Sequence, residues 1–175
     1  MAVTVRPLTP TDDRSGFTSG NLDLDRFLIR FAGQNQFRHH IGTTYVAVDE
    51  AGAILGFATV SAAELTTDRL PPAAAKRLPA YPLLVLRLAR LATHQTAQGR
   101  GVAAALLRAV FSIAHAMAQS VGCIGVIVDA KEDAVTYYEQ FGFIPLDALS
   151  GHLGDRPEPM PMFLELGAIP RPELR

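Results

Sequence analysis

The chain has 175 residues, 49% hydrophobic and 19% charged, which suits one globular domain with its own core and excludes a disordered chain. A net charge of −1 argues against a protein that coats its whole surface in nucleic acid, although all 16 basic residues except Lys76 and Lys131 are Arg, the better residue for bidentate phosphate contacts. No apolar run reaches transmembrane length and the opening Met1-Ala2-Val3-Thr4-Val5-Arg6 is not a signal peptide, so a cytoplasmic protein with no membrane partner is expected. Cys123 is the one cysteine, sits in an apolar run and reads as a small buried hydrophobe. His39 and His40 are adjacent and His94, His115 and His152 are scattered, so no metal site is expected.

In chain order, Val3 to Leu8 reads as an edge strand closed by Pro7, and Thr11-Asp12-Asp13 as a turn or helix start. Phe17 to Asn21 is a loop able to cap a helix over Leu22 to Phe37, whose predicted apolar stripe is Leu24, Phe27, Leu28, Phe31 and Gln34. Arg26 and Arg30 are i, i+4 neighbours on another face, and Arg38, His39 and His40 add positive charge at the end, where a solvated face complementing the helix dipole is the ordinary explanation. Thr43 to Val48 and Ile54 to Ala62 form a hairpin across Asp49-Glu50-Ala51-Gly52, with Gly56 at a bulge. Leu70 to Pro82 is a short helical or irregular segment bracketed by prolines.

Leu83 to Thr93 is a bounded, mostly apolar run read as a strand, a pattern that a helix also satisfies. A short polar turn, His94 to Ala97, leads into Gln98-Gly99-Arg100-Gly101-Val102-Ala103 and then a helix striped by Val102, Ala105, Leu106, Ala109, Val110 and Ile113. Gly122 to Asp129 is a buried strand, Ala130 to Phe141 a short helix stopped by Gly142, Phe143-Ile144-Pro145 a short strand, and Met162 to Leu166 the last strand. Asp147 to Pro161 reads as a Gly- and Pro-rich loop, and about 168–175 as a loose tail on a single domain 1–175. The class is α+β with an antiparallel half.

The glycine loop carries the chemistry. The first amides of a helix lack intrahelical acceptors and the helix dipole adds partial positive charge there, so a phosphate approaching between glycines is the natural ligand. A Walker A loop needs Lys and Ser or Thr after its last glycine, and both are missing. A dinucleotide fingerprint fits Gly99, Gly101 and Ala104 with Asp129 downstream, but too few strand–helix repeats follow. A plain turn between strand and helix requires no ligand at all.

Gln98-Gly99-Arg100-Gly101-Val102-Ala103 also satisfies Q/R-x-x-G-x-G/A, and Ala134-Val135-Thr136-Tyr137-Tyr138-Glu139-Gln140-Phe141-Gly142-Phe143 satisfies A-x-x-F/Y-Y-x-x-x-G-F. With both motifs in order, the chain resembles the GNAT acyltransferases over nearly its whole length. The resemblance implies a central mixed sheet, splayed between the strand at Leu86–Thr93 and that at Cys123–Asp129, flanked by helices. It implies acetyl-CoA as co-substrate, with its pyrophosphate on Gln98, Gly99, Arg100, Gly101, Val102, Ala103 and Ala104 and its thioester against Leu91, Ala92 and Thr93. It also implies Tyr138 as the acid that protonates the leaving thiolate. Periodicity alone would put Tyr137 and Tyr138 in the core, as part of the stripe Ala134, Tyr137, Tyr138, Phe141; the motif selects Tyr138 for chemistry and leaves Tyr137 for packing.

Phe17-Thr18-Ser19-Gly20-Asn21-Leu22-Asp23-Leu24-Asp25-Arg26-Phe27-Leu28, Ala32-Gly33-Gln34, the Leu78-Pro79-Ala80-Tyr81-Pro82 segment and Arg90-Leu91-Ala92 are similar to the toxin branch of that family. That branch usually continues with Val-Asp where Thr93-His94 stand here. The resemblance implies acetylation of the α-amine of an aminoacyl-tRNA, a small DNA-binding antitoxin as partner, and leaves a homodimer open. A local arginine face of Arg26, Arg30, Arg38, Arg87 and Arg90 would meet the tRNA. Acetylation of a small amine, such as a polyamine or antibiotic, and a non-catalytic acyl-CoA-binding module are the competing functions. No Ser-His-Asp or Cys-His constellation is evident, so direct attack by the amine is expected. An α-amine of pKa about 8 is partly neutral at physiological pH and needs no strong base.

Overall fold

The computed structural model describes residues 2–146 and 159–170. Seven strands form a mixed sheet: β1 Thr4–Pro7, β2 Thr43–Val48, β3 Ile54–Leu65, β4 Leu83–Thr93, β5 Gly125–Ala130, β6 Ile144–Pro145 and β7 Met160–Glu165, in the order β1-β2-β3-β4-β5-β7-β6. β1 with β2, β2 with β3, β5 with β7 and β6 with β7 are antiparallel. The helices are α1 Leu22–Arg26, α2 Pro72–Ala75, α3 Val102–Ser120 and α4 Val135–Glu139. The chain divides into two compact units, one of Met1–Ser61 with Leu88–Val110 and one of Ala62–Arg87 with Phe111–Arg175.

In the first unit the core is Leu8, Phe17, Phe27, Leu28, Ala32, Val46, Val48, Ile54, Phe57 and Ala92. The β2–β3 hairpin forms where the sequence places it: Asp49 Oδ1 accepts from the amides of Ala51 and Ala53, and Gly52 takes φ 85°. The bulge lies beside Gly56, since Ala47 pairs with Gly56 but Val48 pairs with Ile54, leaving Leu55 as the extra residue. Asn21 caps α1 through Oδ1, which accepts from Asp23 N at 3.1 Å and Leu24 N at 3.2 Å.

The helix after that cap departs from the expected single α-helix. α1 gives way to π-helical turns at Phe27–Phe31 and Gln34–His39, closed by His40 in the left-handed region at φ 55°. Wider turns rotate the later residues off the 3.6-residue face. Phe27, Leu28 and Ala32 are therefore buried, whereas Phe31 (43% exposed) and Gln34 leave the predicted stripe for the surface. Gln36 fastens this segment to the sheet, donating to Leu8 O at 3.2 Å and accepting from Thr44 N at 2.9 Å.

In the second unit Leu65, Leu70, Val85, Leu146 and Phe163 form the core, with Leu78, Ile124 and Ile127 packed against it. The Leu70 to Pro82 segment contains α2, preceded by a 3-10 turn at Thr67–Arg69. β5 starts at Gly125, later than expected, after Cys123, whose buried thiol donates to Gly125 O at 3.2 Å. Burial pushes that thiol above its ordinary pKa, as for an unreactive core cysteine. The expected helix over Ala130 to Phe141 is a 3-10 turn at Glu132–Ala134 followed by α4. β7 begins at Met160, inside the stretch expected to be loop; Asp147 to Glu158 lies outside the described residues. The tail is not loose at its start, because Ile169 is 3% exposed and its carbonyl lies 3.1 Å from His115 Nε2.

α3 corrects a further expectation. It is long and apolar enough, by length and composition, to cross a membrane. Its Val102, Leu106, Leu107, Val110, Phe111 and Ala114 are buried within the protein.

Candidate functional site

The first unit carries the glycine turn that follows the end of β4. His94 N donates to Leu55 O at 2.7 Å, holding the strand end against β3. The His94 ring then caps the 3-10 turn Gln95–Ala97: Nδ1 accepts from Thr96 N at 3.2 Å and lies 3.0 Å from Thr96 Oγ1. At the Thr93-His94 departure the unprotonated Nδ1 of His94 thus supplies the cap acceptor of this turn. Phe17 packs edge-on against both the His94 ring (5.6 Å) and Phe57 (5.5 Å).

Gly99 and Gly101 stand at φ 78° and 80°. Nothing lies within 4 Å of a Cβ at either, so backbone conformation, not crowding, selects glycine at both. Gly101 O accepts the first helical bond, from Ala105 N at 3.0 Å. The amides of Val102, Ala103 and Ala104 thus open α3 with no intrahelical acceptor. Gln98, Gly99, Arg100 and Gly101 are exposed, Ala103 and Ala104 half-buried, and Val102 is 1% exposed, anchoring the turn. A row of free amides at the positive end of a 19-residue helix, behind an exposed left-handed glycine loop, fits a pyrophosphate.

Two contacts tie this turn to the N-terminal loop: Gln95 N donates to Thr18 O at 2.8 Å and Gln98 Nε2 to Ser19 O at 3.1 Å. That loop is fixed in turn by Asp25, 7% exposed, whose Oδ1 accepts from Ser19 N at 2.9 Å and Ser19 Oγ at 2.6 Å. The structure shows Asp25 anchoring Ser19, whereas sequence reasoning read Asp25 only as the acidic position of the Phe17–Leu28 motif and gave it no role. Gly56 also escaped it in this role. A Cβ there would meet Ala92 O and Val102 Cγ1, both at 2.8 Å, so glycine lets the end of β4 and the start of α3 approach β3 together. Ala92 is 7% exposed, with Leu91 and Thr93 half-buried beside it.

The arginines divide. Arg26, Arg30 and Arg38 stand exposed along one helical segment. Arg90 joins them from β4, its guanidinium 3.7 Å above the Phe27 ring. Arg87 belongs to the second unit, where it pairs with Asp129 at 3.0 Å, both about half exposed.

Tyr138 also belongs to the second unit. It lies on α4, 6% exposed, with its ring edge-on to Tyr137 (5.8 Å) and Phe143 (5.4 Å). Gly142, at φ 98°, turns the chain so that Phe143 N bonds back to Tyr138 O at 3.3 Å. The division between the tyrosines differs from a simple core-and-site split. Tyr138 is the more buried, and Tyr137, half-buried, packs on Phe141 at 5.2 Å. Burial first, and Tyr137 second, push the Tyr138 phenol up to about 12, so it is a hydrogen donor throughout the neutral range. Among the described residues no group of three His, Cys, Asp or Glu is placed to hold a metal.

The family model of the acetyltransferase (GNAT) domain matches residues 40–145. The tRNA-acetylating toxin of Mycobacterium tuberculosis is 29% identical over 139 residues, covering 79% of this chain and 82% of that protein. The structure of AtaT complexed with acetyl-methionyl-tRNAfMet superposes with a TM-score of 0.82 at 26% identity, covering 96% of this chain and 97% of that one. AtaTR bound with AcCoA gives 0.73 at 27% identity, covering 95% of each chain.

Proposed function

The chain belongs to the GNAT acetyltransferase family, and on that premise we propose that it moves an acetyl group from acetyl-CoA to the α-amine of an aminoacyl-tRNA, as a toxin that stops translation. The observation that carries the acceptor is the likeness, over 96% of this chain, to AtaT complexed with acetyl-methionyl-tRNAfMet. The family match at 40–145 runs through both compact units, which supports reading 1–175 as one acetyltransferase domain. Its setting is the cytoplasm, and a small DNA-binding antitoxin is its expected partner.

The proposed steps use this chain's own groups. Gln98 to Ala104 hold the pyrophosphate through main-chain amides, Arg100 adding charge at the loop surface. Main-chain groups of Leu91 to Thr93 hold the thioester, steadying its carbonyl oxygen as negative charge grows there. The neutral amine attacks the thioester carbon, the C–N bond forms and the C–S bond breaks. Tyr138 O–H protonates the departing sulfur, the amine nitrogen gives up its extra proton to water, and the Tyr138 phenolate takes a proton back from water. A phenol raised by burial stays protonated until it is needed. Arg26, Arg30, Arg38 and Arg90 present positive charge to the tRNA backbone; Arg87 contributes less, because Asp129 already neutralises it.

The test offers purified protein labelled acetyl-CoA with charged bulk tRNA, deacylated tRNA or a mixture of small amines. Label on charged tRNA alone is expected. Label on small amines alone would make this a metabolic or resistance enzyme and overturn the acceptor.

A further inference from the structure

Arg69 closes the 3-10 turn Thr67–Arg69 between β3 and α2, and its main chain is fixed on both sides. Leu65 and Leu70 are 1% and 4% exposed in the second unit's core, and Arg69 N donates to Thr66 O at 3.1 Å. Its side-chain Nε has no such anchor among the described residues. Arg6 forks Asp12, Arg14 donates to Leu28 O, Arg77 pairs with Glu165 and Arg87 with Asp129. Arg69 Nε, by contrast, is buried without a hydrogen-bond partner, the one side-chain nitrogen or oxygen among the described residues so placed. The residue as a whole is only half-buried, so part of it is open to solvent.

A buried N–H without an acceptor penalises the pose that holds it. Turning the guanidinium outward removes that penalty, and the Nε–Hη edge then presents two parallel donors, the fork that matches two oxygens of a phosphate. Of the neighbouring charges, exposed Lys76 adds positive field on the same connection, whereas Arg77 is paired with Glu165 and Asp68 beside Arg69 is acidic, so the guanidinium itself supplies most of the attraction for an anion. We propose that Arg69 is a phosphate seat, engaged when the substrate arrives, and that the phosphate is a backbone phosphodiester of the aminoacyl-tRNA. The inference rests on the acceptor reading above. It favours tRNA over acetyl-CoA because the amides of Gln98 to Ala104 already provide for the pyrophosphate.

The test compares wild type, Arg69→Lys and Arg69→Gln in transfer of label to charged tRNA, in acetyl-CoA titration calorimetry, in binding of fluorescent deacylated tRNA across a salt series, and in thermal melting. For Arg69→Gln the KM for charged tRNA should rise about tenfold and the log–log salt slope should lessen by about one, with acetyl-CoA affinity, kcat and Tm unchanged. Arg69→Lys should keep the slope, which reports charge, and recover part of the affinity, since the fork is lost. Acetyl-CoA affinity falling alone would reassign the seat to a phosphate of acetyl-CoA and overturn the tRNA source. Tm falling with both affinities intact, or no change at all, would overturn the seat. Wild type failing to label charged tRNA would remove the acceptor reading, while the two binding measurements still decide Arg69.

Discussion

Gln98 Nε2 donates to Ser19 O at 3.1 Å, joining the glycine loop to the N-terminal loop across 79 positions of sequence. The contact makes the loop's shape depend on residues far from the family motif. Gln98→Ala should weaken acetyl-CoA binding about fivefold, the worth of one ordinary hydrogen bond, with Tm nearly unchanged. Calorimetric titration checks it, and wild-type affinity in that variant would release the N-terminal loop from any part in positioning the cofactor turn.

The His94 cap is separable from its ring packing. His94→Asn and His94→Ala both lose the contact with Phe17, but only Asn retains an acceptor for Thr96 N. Asn should therefore be the more stable by about 1 kcal/mol, the usual worth of a cap. Thermal melts of the two variants measure the difference; equal stability would show that the Nδ1 contact contributes nothing.

Tyr138→Phe should preserve fold and acetyl-CoA affinity, because the ring contacts with Tyr137 and Phe143 do not use the hydroxyl, and should lose most turnover. The pH profile of wild type follows from two groups. The amine gains nucleophilicity as it deprotonates through pH about 8. The phenol, raised to about 12, keeps its proton over that range. Turnover should then rise from pH 6 to about 8.5 and level off, with no descending limb from Tyr138. Unchanged turnover in Tyr138→Phe would take this residue out of the mechanism.

Two glycines should fail for different reasons. Gly101 has open space but φ 80°, so Gly101→Asp adds backbone strain and a negative charge at the proposed phosphate position, and acetyl-CoA affinity should fall at least tenfold at modest cost in Tm. Gly56→Ala drives a Cβ into Ala92 O and Val102 Cγ1 at 2.8 Å, so Tm should fall together with affinity. Paired melting and titration distinguish them, and a Gly56→Ala protein with wild-type Tm would mean that the close approach yields without cost.

Acid stability should report on the Arg6–Asp12 fork. Both Asp12 oxygens accept from Arg6, at 2.9 and 2.8 Å, and one also accepts from Thr9 N. The Arg6 hydrogen bonds chiefly hold the Asp12 carboxyl down at about 2. A carboxyl depressed on folding adds stability above its unfolded pKa of about 3.9 and loses it as pH falls toward the folded value. Wild type should therefore lose Tm between pH 4 and 2 more steeply than Asp12→Asn, and parallel curves in urea or heat would remove the fork from acid stability.

Much of this protein was legible in its residues because the informative signals are local. The Gly99–Gly101 loop, the Asn21 cap, the Gly142 stop and the hairpin at Asp49–Gly52 each depend on a few neighbouring residues, and motif spacing was enough to indicate the family and hence the sheet. What only the tertiary structure decided depends on residues distant in sequence. The π-helical turns after Arg26 moved Phe31 to the surface because packing of Phe27, Leu28 and Ala32 overrode the 3.6-residue period. The service of His94 where an Asp is usual, the crowding at Gly56, the anchoring of Ser19 by buried Asp25, the depth of Tyr138 and the orphaned Nε of Arg69 arise from side chains brought together by folding, and no local pattern in the chain encodes those distances.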